Sequence, residues 1–338
     1  STPKNFSTDR CLHESKVPLL RNRVYFRKRL IHFSKINMTL NIWRFTDEKP
    51  GHDSQSIGLC NAISEIKKCN IFDIETDTPF KVIKNILSNK FPRGENITKP
   101  NILIGAGHKT HISMLSAKYT KKGKIIVLMK PSLPTSFFDL CLIPKHDRPK
   151  TRKNVIETNG ALNPMKFNEN KSLNEGLILL GGLSNHYKWD NNIIISQVKN
   201  IITNKDNKNW TLADSPRTPK GLIQKLSSYN KNVKILHSNT TNMAQLHNYI
   251  FNANHIWVSP DSVSMVYESL SSGASVGILE LPIKKTNRIN EAIASLIEKK
   301  EITSYSSWLK NKELRPFEKK FNEAERCALI MLDKGILC

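Results

Sequence analysis

The hydrophobic positions of this 338-residue chain fall into short aliphatic runs, separated by segments in which apolar residues recur every three or four positions. Runs of this kind, bounded by turn residues, read as buried strands, and the spaced segments read as amphipathic helices. In the first half the runs predict strands over 40–45, 70–74, 101–105, 124–129, 140–143 and 154–157. Leu59, Ile63 and Ile66 recur at helical spacing, which predicts a helix over 55–67 with Glu65 and Lys67 facing outward. Residues 159–175, rich in Gly, Pro, Asn and Lys, break the pattern, and a fresh strand starts at Gly176 in GLILLGG. The second half predicts strands over 176–180, 210–213, 233–236, 255–258 and 276–279, with helices over 190–202, 219–226, 242–251 and 262–270. Further helices are expected near 286–299 and 317–333, the last placed to pack back across the hinge. Strands that alternate with helices make parallel sheets covered on both faces. The fold class is therefore α/β, with one Rossmann-like domain over 38–160, a second over 175–300 and helices over 301–338.

Charge narrows the partners. Lys and Arg number 52 against 29 acids, a net charge of +23, which favours an anionic partner such as a phosphorylated ligand or an anionic membrane surface. Residues 1–37 carry nine Lys/Arg against two acids and read as a basic, disordered arm for targeting or membrane contact, or as sequence translated upstream of Met38; the stretch RNRVYFRKR has no apolar core for a signal peptide. No RNP-type aromatic motif, zinc-finger spacing or helix-turn-helix signature supports nucleic acid. Cys11, Cys60, Cys69, Cys141, Cys327 and Cys338 form no C-x-x-C pair and read as reduced residues of a cytoplasmic protein. No apolar run approaches the roughly 20 residues of a membrane span, so membrane contact is expected to be peripheral.

Ligands of such sheets bind beyond the carboxyl ends of the strands, and four loops there stand out. TDEKPGHDSQ places Gly51 and His52 ahead of a helix N-terminus, where free N–H groups favour anions. Gly107, His108 and Lys109 repeat that arrangement after another strand. Gly181 and Gly182, followed by Ser184, would let a ligand approach the backbone closely, although a tight turn explains them equally. Asp261, Ser262 and Ser264 open a helix whose buried face is Val263, Val266, Tyr267 and Leu270, with Asp261 read plainly as an N-cap. The acidic run Asp73-Ile74-Glu75-Thr76-Asp77 reads as a solvated strand end rather than a metal site, and nothing in these residues calls for a metal or a cofactor.

The motifs FTDEKPGHDSQSIGL, IGAGHKTHISML, VLMKPSLPTSFFDLCLIPKHD, LLGGLSNHYKWD, WTLADSPRTP and WVSPDSVSMVYESLSSGASVGILEL resemble those of the mitochondrial fission family typified by the plant "elongated mitochondria" protein and its bacterial homologues. The resemblance covers about residues 40–299. It implies a GT-B glycosyltransferase-like fold, with the acceptor on the first domain and a nucleotide-diphosphate sugar on the second. Glu268 to Gly273 is similar to the E-x4-G element with which a GT-B transferase of peptidoglycan synthesis holds ribose hydroxyls. That similarity implies ribose recognition by Glu268, diphosphate contacts by Ser262 and Ser264, and phosphate contacts by Lys109 and by Ser215 and Arg217 of the ADSPRTP motif. Pro50-Gly51-His52 is similar to the same enzyme's G-G-H loop but is one glycine short; it makes His52 the candidate base, with Asp53 as the runner-up. Three functions follow: a metal-independent glycosyltransferase, possible in cell-envelope glycan synthesis; an adaptor recruiting a partner at a membrane; and a GT-B-type epimerase. A short-chain epimerase is excluded, because it needs G-x-x-G-x-x-G and Y-x-x-x-K and neither occurs.

Overall fold

A computed structural model describes residues 39–204, 208–229, 233–317 and 320–337. The arm expected over 1–37 lies outside the described residues, as do Cys11 and Cys338. Residues 39–337 form a compact unit built on two sheets of six strands each, every strand pair within them parallel.

The first sheet comprises β1 (Leu40–Thr46), β2 (Cys69–Glu75), β3 (Ile102–Ala106), β4 (Lys124–Leu128), β5 (Leu140–Pro144) and β6 (Val155–Thr158), in the order β2-β1-β3-β4-β5-β6. The central strands are buried on both faces, which is why they read as unbroken aliphatic runs rather than alternating ones. Strand β4 stops one residue short of the predicted end because Met129 has φ 71, outside the extended region. Three helices connect these strands: α1 (Pro50–Ile66), α2 (Pro79–Leu87) and α3 (His108–Lys121).

Helix α1 begins five residues before its predicted start. Pro50 occupies the first helical positions, where its fixed φ suits the helix and its missing N–H is not needed, so Gly51, His52 and Asp53 lie in the first turn rather than ahead of it. Lys67, expected to face outward, is buried just past the helix and donates to the carbonyl of Leu337 at 2.6 Å.

The second sheet comprises β7 (Ser172–Leu179), β8 (Asn209–Ala213), β9 (Lys234–Leu236), β10 (Ala253–Val258), β11 (Ser275–Ile278) and β12 (Thr303–Ser304), in the order β12-β11-β10-β7-β8-β9. Five of these strands were predicted; the two-residue β12 is too short to leave a periodic signal. The helices are α4 (Asn191–Ile202), α5 (Leu222–Ser227), α6 (Met243–Asn252), α7 (Val263–Ser271), α8 (Arg288–Glu298), α9 (Tyr305–Asn311) and α10 (Glu323–Asp333). Asp190 caps α4 by accepting from the amides of Asn192 and Ile193, and Asn242 and Asn287 close reciprocal capping boxes on α6 and α8. Helix α10 starts six residues later than predicted, where the Asn322 side chain accepts from the Glu325 amide.

Helix α10 returns to the first sheet. Its Ala324, Cys327, Ala328 and Met331, with Leu337 beyond, share one buried cluster with Leu59 and Ile63 of α1 and with the aliphatic residues of β1, β3 and β4. Lys124 donates to the carbonyls of Gly335 and Ile336, at 3.0 and 3.2 Å, just past the helix end. Burial pushes the thiols of Cys60, Cys141 and Cys327 up to about 12, so they remain neutral packing groups. Since Met331 is fully buried in this cluster, Met331→Ala is expected to lower stability by ~2–5 kcal/mol, while Leu329→Ala on the exposed side of the same helix should change it by under ~0.5 kcal/mol. Urea unfolding of the two variants beside the wild type is the measurement; equal midpoint shifts would contradict the assignment of α10 to this core.

Candidate functional site

The carboxyl ends of both sheets face a cleft of about 680 Å³ lined by both halves of the molecule. The first half contributes Lys49, His52, Gln55, Gly107, His108, the 129–132 turn, His146 and Asp147; the second contributes His186, Ser264, Asn287 and Arg288. Asp147 is the only carboxylate among the described lining residues, and it is ion-paired with Arg288 across the two halves. The surplus of positive charge makes the cleft suited to an anion.

His52 is held from behind. Its Nδ1 lies 2.9 and 3.0 Å from the two carboxylate oxygens of Asp47, whose side chain is wholly shielded from solvent. An ionised carboxylate only accepts, so Nδ1 carries the hydrogen and Nε2 keeps the lone pair. The chain folds this way because Glu48 turns back with φ 62, bringing Asp47 against the first turn of α1. Gly107 completes the seat: a Cβ there would stand 2.3 Å from the His52 ring, and its φ of 83 disfavours any other residue.

Asp53, the alternative base, points elsewhere. Its carboxylate accepts from Thr46 Oγ1 at 2.6 Å and lies 3.4 Å from Arg44 Nη1, joining an ion pair between Arg44 and Asp73. The rest of the acidic run is engaged by Arg93, which donates to Glu75 and Asp77, each at 2.7 Å. These acids are therefore paired with arginines rather than simply solvated. Among the described residues no group of three His, Cys, Asp or Glu is placed to hold a metal ion.

His108 lines the cleft, whereas Lys109 is exposed and outside its wall. One turn further along α3, His111 is buried beside Ser132 and Phe138; burial, reinforced by His108, lowers it to about 4, so it is neutral at physiological pH. Burial also lowers His146, with Asp147 pulling it back up and Arg288 lowering it further.

The second-half residues split into two sets. Gly181, Gly182, Ser215, Arg217 and Asp261 form a hydrogen-bonded knot. Asp261 accepts from the Gly182 amide at 2.9 Å and from Ser259 Oγ at 2.7 Å, and it pairs with Arg217 at 3.0 Å. Ser215 Oγ donates to the Gly181 carbonyl at 2.6 Å. A Cβ at Gly181 would meet Asp261 at 2.1 Å, and one at Gly182 would meet the Arg217 carbonyl at 2.0 Å. The two glycines thus make room for the protein's own side chains and backbone, and Asp261 ties loops together instead of capping α7, whose N-cap is Ser262. Ser184 accepts from the amides of His186 and Tyr187, fixing the turn that brings His186 to the cleft.

Ser264 reaches the cleft wall, and Ser262 is half-buried without a side-chain cap bond. Glu268, about one and a half turns along α7, is buried and accepts from Ser54 Oγ of α1 at 3.0 Å, closing a polar contact between the halves. The sequence alone singled out neither Asp47, Ser54, Met129, Lys130, His186 nor Arg288. Met129 is the turn residue whose left-handed φ points to a position held by its surroundings.

Burial holds the Glu268 carboxyl up at about 7, against the smaller lowering effect of the Ser54 bond. The unfolded chain releases this proton near the ordinary Glu value of about 4.3, while the folded protein keeps it until about 7. The folded state therefore binds more protons across that interval, so stability falls as pH rises through it and levels off above. At about 1.4 kcal/mol for each pH unit, the loss amounts to roughly 3–4 kcal/mol. Thermal melts at about pH 4.5 and about pH 8 should show this loss in the wild type and its absence in Glu268→Gln. Parallel pH profiles for the two proteins would remove Glu268 as its source.

A model of the mitochondrial fission ELM1 family matches residues 50–334. A protein of Rickettsia prowazekii (strain Madrid E) is 23% identical over 354 residues, spanning 86% of this chain and 98% of its own. Among solved structures, a putative UDP-N-acetylglucosamine 2-epimerase from Listeria monocytogenes superposes with a TM-score of 0.56 at 12% identity, covering 88% of this chain and 97% of its own. The UDP-GlcNAc 2-epimerase from Methanocaldococcus jannaschii gives a TM-score of 0.53 at 14% identity, covering 88% and 100%. Likeness at such identities is one of fold, and the fold is the GT-B arrangement of two Rossmann-like domains. With most of its length matched by the family model, the chain belongs to the mitochondrial fission ELM1 family.

Proposed function

We propose that the cleft binds a nucleotide-diphosphate sugar and that the protein transfers the sugar to an acceptor hydroxyl, with His52 as the general base. The observation that carries this reading is the Asp47–His52 pair set in a cation-lined cleft at the carboxyl ends of both sheets. With Nδ1 committed to Asp47, Nε2 is left to take the proton of an acceptor hydroxyl. The freed oxygen attacks the anomeric carbon, the bond from that carbon to the diphosphate breaks, and the charge left on the diphosphate falls to Lys49, Lys130 and Arg288. Asp53 is spoken for by Thr46 and Arg44, which leaves the base role to His52. In this reading Glu268 meets the ribose only when the halves separate enough to release Ser54.

A second reading takes its support from the Listeria and Methanocaldococcus structures, whose names specify 2-epimerisation of UDP-GlcNAc. It differs in needing no acceptor.

Calorimetry with UDP, ADP and their sugar conjugates tests the shared part. The wild type is expected to bind at least one of them, and Lys130→Ala to weaken that binding about tenfold or more, the worth of one charge-assisted hydrogen bond. His52→Ala should bind within about threefold of the wild type yet lose ~10²–10⁴ in turnover. Absence of binding to the whole panel by a folded sample would overturn the proposal. A product altered at the sugar's C2 without any acceptor would replace transfer by epimerisation.

A further inference from the structure

Helix α2 is packed inside out. Its buried positions are Val82 and Asn85, while Phe80, Ile83 and Leu87 stand 78%, 58% and 82% exposed. At 100° per residue these three fall within one narrow stripe, opposite the buried pair, and Lys84 lies beside it. A soluble surface carries single exposed apolar residues without consequence, but three large ones on one face of a nine-residue helix form a patch that ordinary folding leaves uncovered. Helix α3, against which α2 packs, exposes Ile112 and Tyr119 together with Lys109.

The charge around the patch selects its occupant. From residue 79 to residue 90 the chain carries Lys81, Lys84 and Lys90, all exposed, and no acid. The neighbouring acids Glu75 and Asp77 are engaged by Arg93 and leave these lysines uncompensated. An apolar stripe fringed by lysines alone is self-repelling toward a second copy of itself, whereas it complements a surface with anionic headgroups above a hydrocarbon layer. Among the described residues no helix is long and apolar enough to cross a membrane, so contact through α2 would be in the interface plane.

We propose that α2 docks this protein on anionic lipid membranes, with Phe80, Ile83 and Leu87 entering the headgroup boundary and Lys81, Lys84 and Lys90 meeting lipid phosphates. The full chain, mixed with phosphatidylcholine vesicles with or without phosphatidylglycerol, is floated on a density gradient. The wild type should float with the anionic vesicles and stay behind with the neutral ones. The double substitution Phe80→Ser with Leu87→Ser should reduce the floated fraction at least tenfold. The charge reversal Lys81→Glu with Lys84→Glu should do the same, and because neither lysine packs in the core its loss cannot be ascribed to unfolding. Both variants keep residues 1–37, so lipid affinity that resides in that basic segment would survive both and overturn the proposal. A wild type that ignores anionic vesicles overturns it too, as does a wild-type dimer, seen by light scattering, that the Phe80/Leu87 substitutions split without any effect on lipid.

Discussion

All strands of each sheet run the same way, and this constraint governs where everything else can be. Parallel pairing sends every strand's carboxyl end to one edge, so the loops after β1, β3, β4 and β5 have no choice but to gather there. The second sheet obeys the same rule, and the two loop edges meet at the cleft. Asp147 with Arg288, Arg148 with Glu291 and Ser54 with Glu268 are polar contacts between the two halves, and the first two lie near solvent. Such contacts contribute little individually, so the apolar seat of α10 on α1 carries more of the burden of keeping the halves joined.

Most of the fold was legible in the sequence because strands buried on both faces announce themselves as aliphatic runs. Errors came at the ends of elements, where single residues decide. Pro50 reads as a loop residue but initiates α1, and Lys67 reads as solvent-facing because its partner, the carbonyl of Leu337, is remote in sequence. Helix α2 is signalled by the i, i+3, i+7 recurrence of Phe80, Ile83 and Leu87, but the spacing does not tell that this stripe faces outward.

The site was legible only as far as local motifs reach. His52, Gly107 and His108 are legible because each lies at a strand-to-helix junction, and they do share the cleft. Asp53 reads as an alternative base, and nothing local marks Asp47 as the partner of His52; the reversal at Glu48 brings that carboxylate to the ring. Lys130 and His186 come from two loops and Arg288 from the first turn of α8, and nothing short of the folded chain brings them together. The paired glycines after β7 illustrate the opposite case, a motif that suggests a ligand and in fact accommodates Asp261 and Arg217.

The return of α10 also bears on the order in which the molecule is made. Ala324, Cys327, Ala328 and Met331 complete the core under β1, β3 and β4, yet a ribosome reaches them only after the whole second sheet has emerged. Until then the underside of α1, with Leu59 and Ile63, stands open to water. The half that is synthesised first is thus the half that finishes folding last, and the interval between the two events is the time in which its unfinished core is exposed to proteases and chaperones.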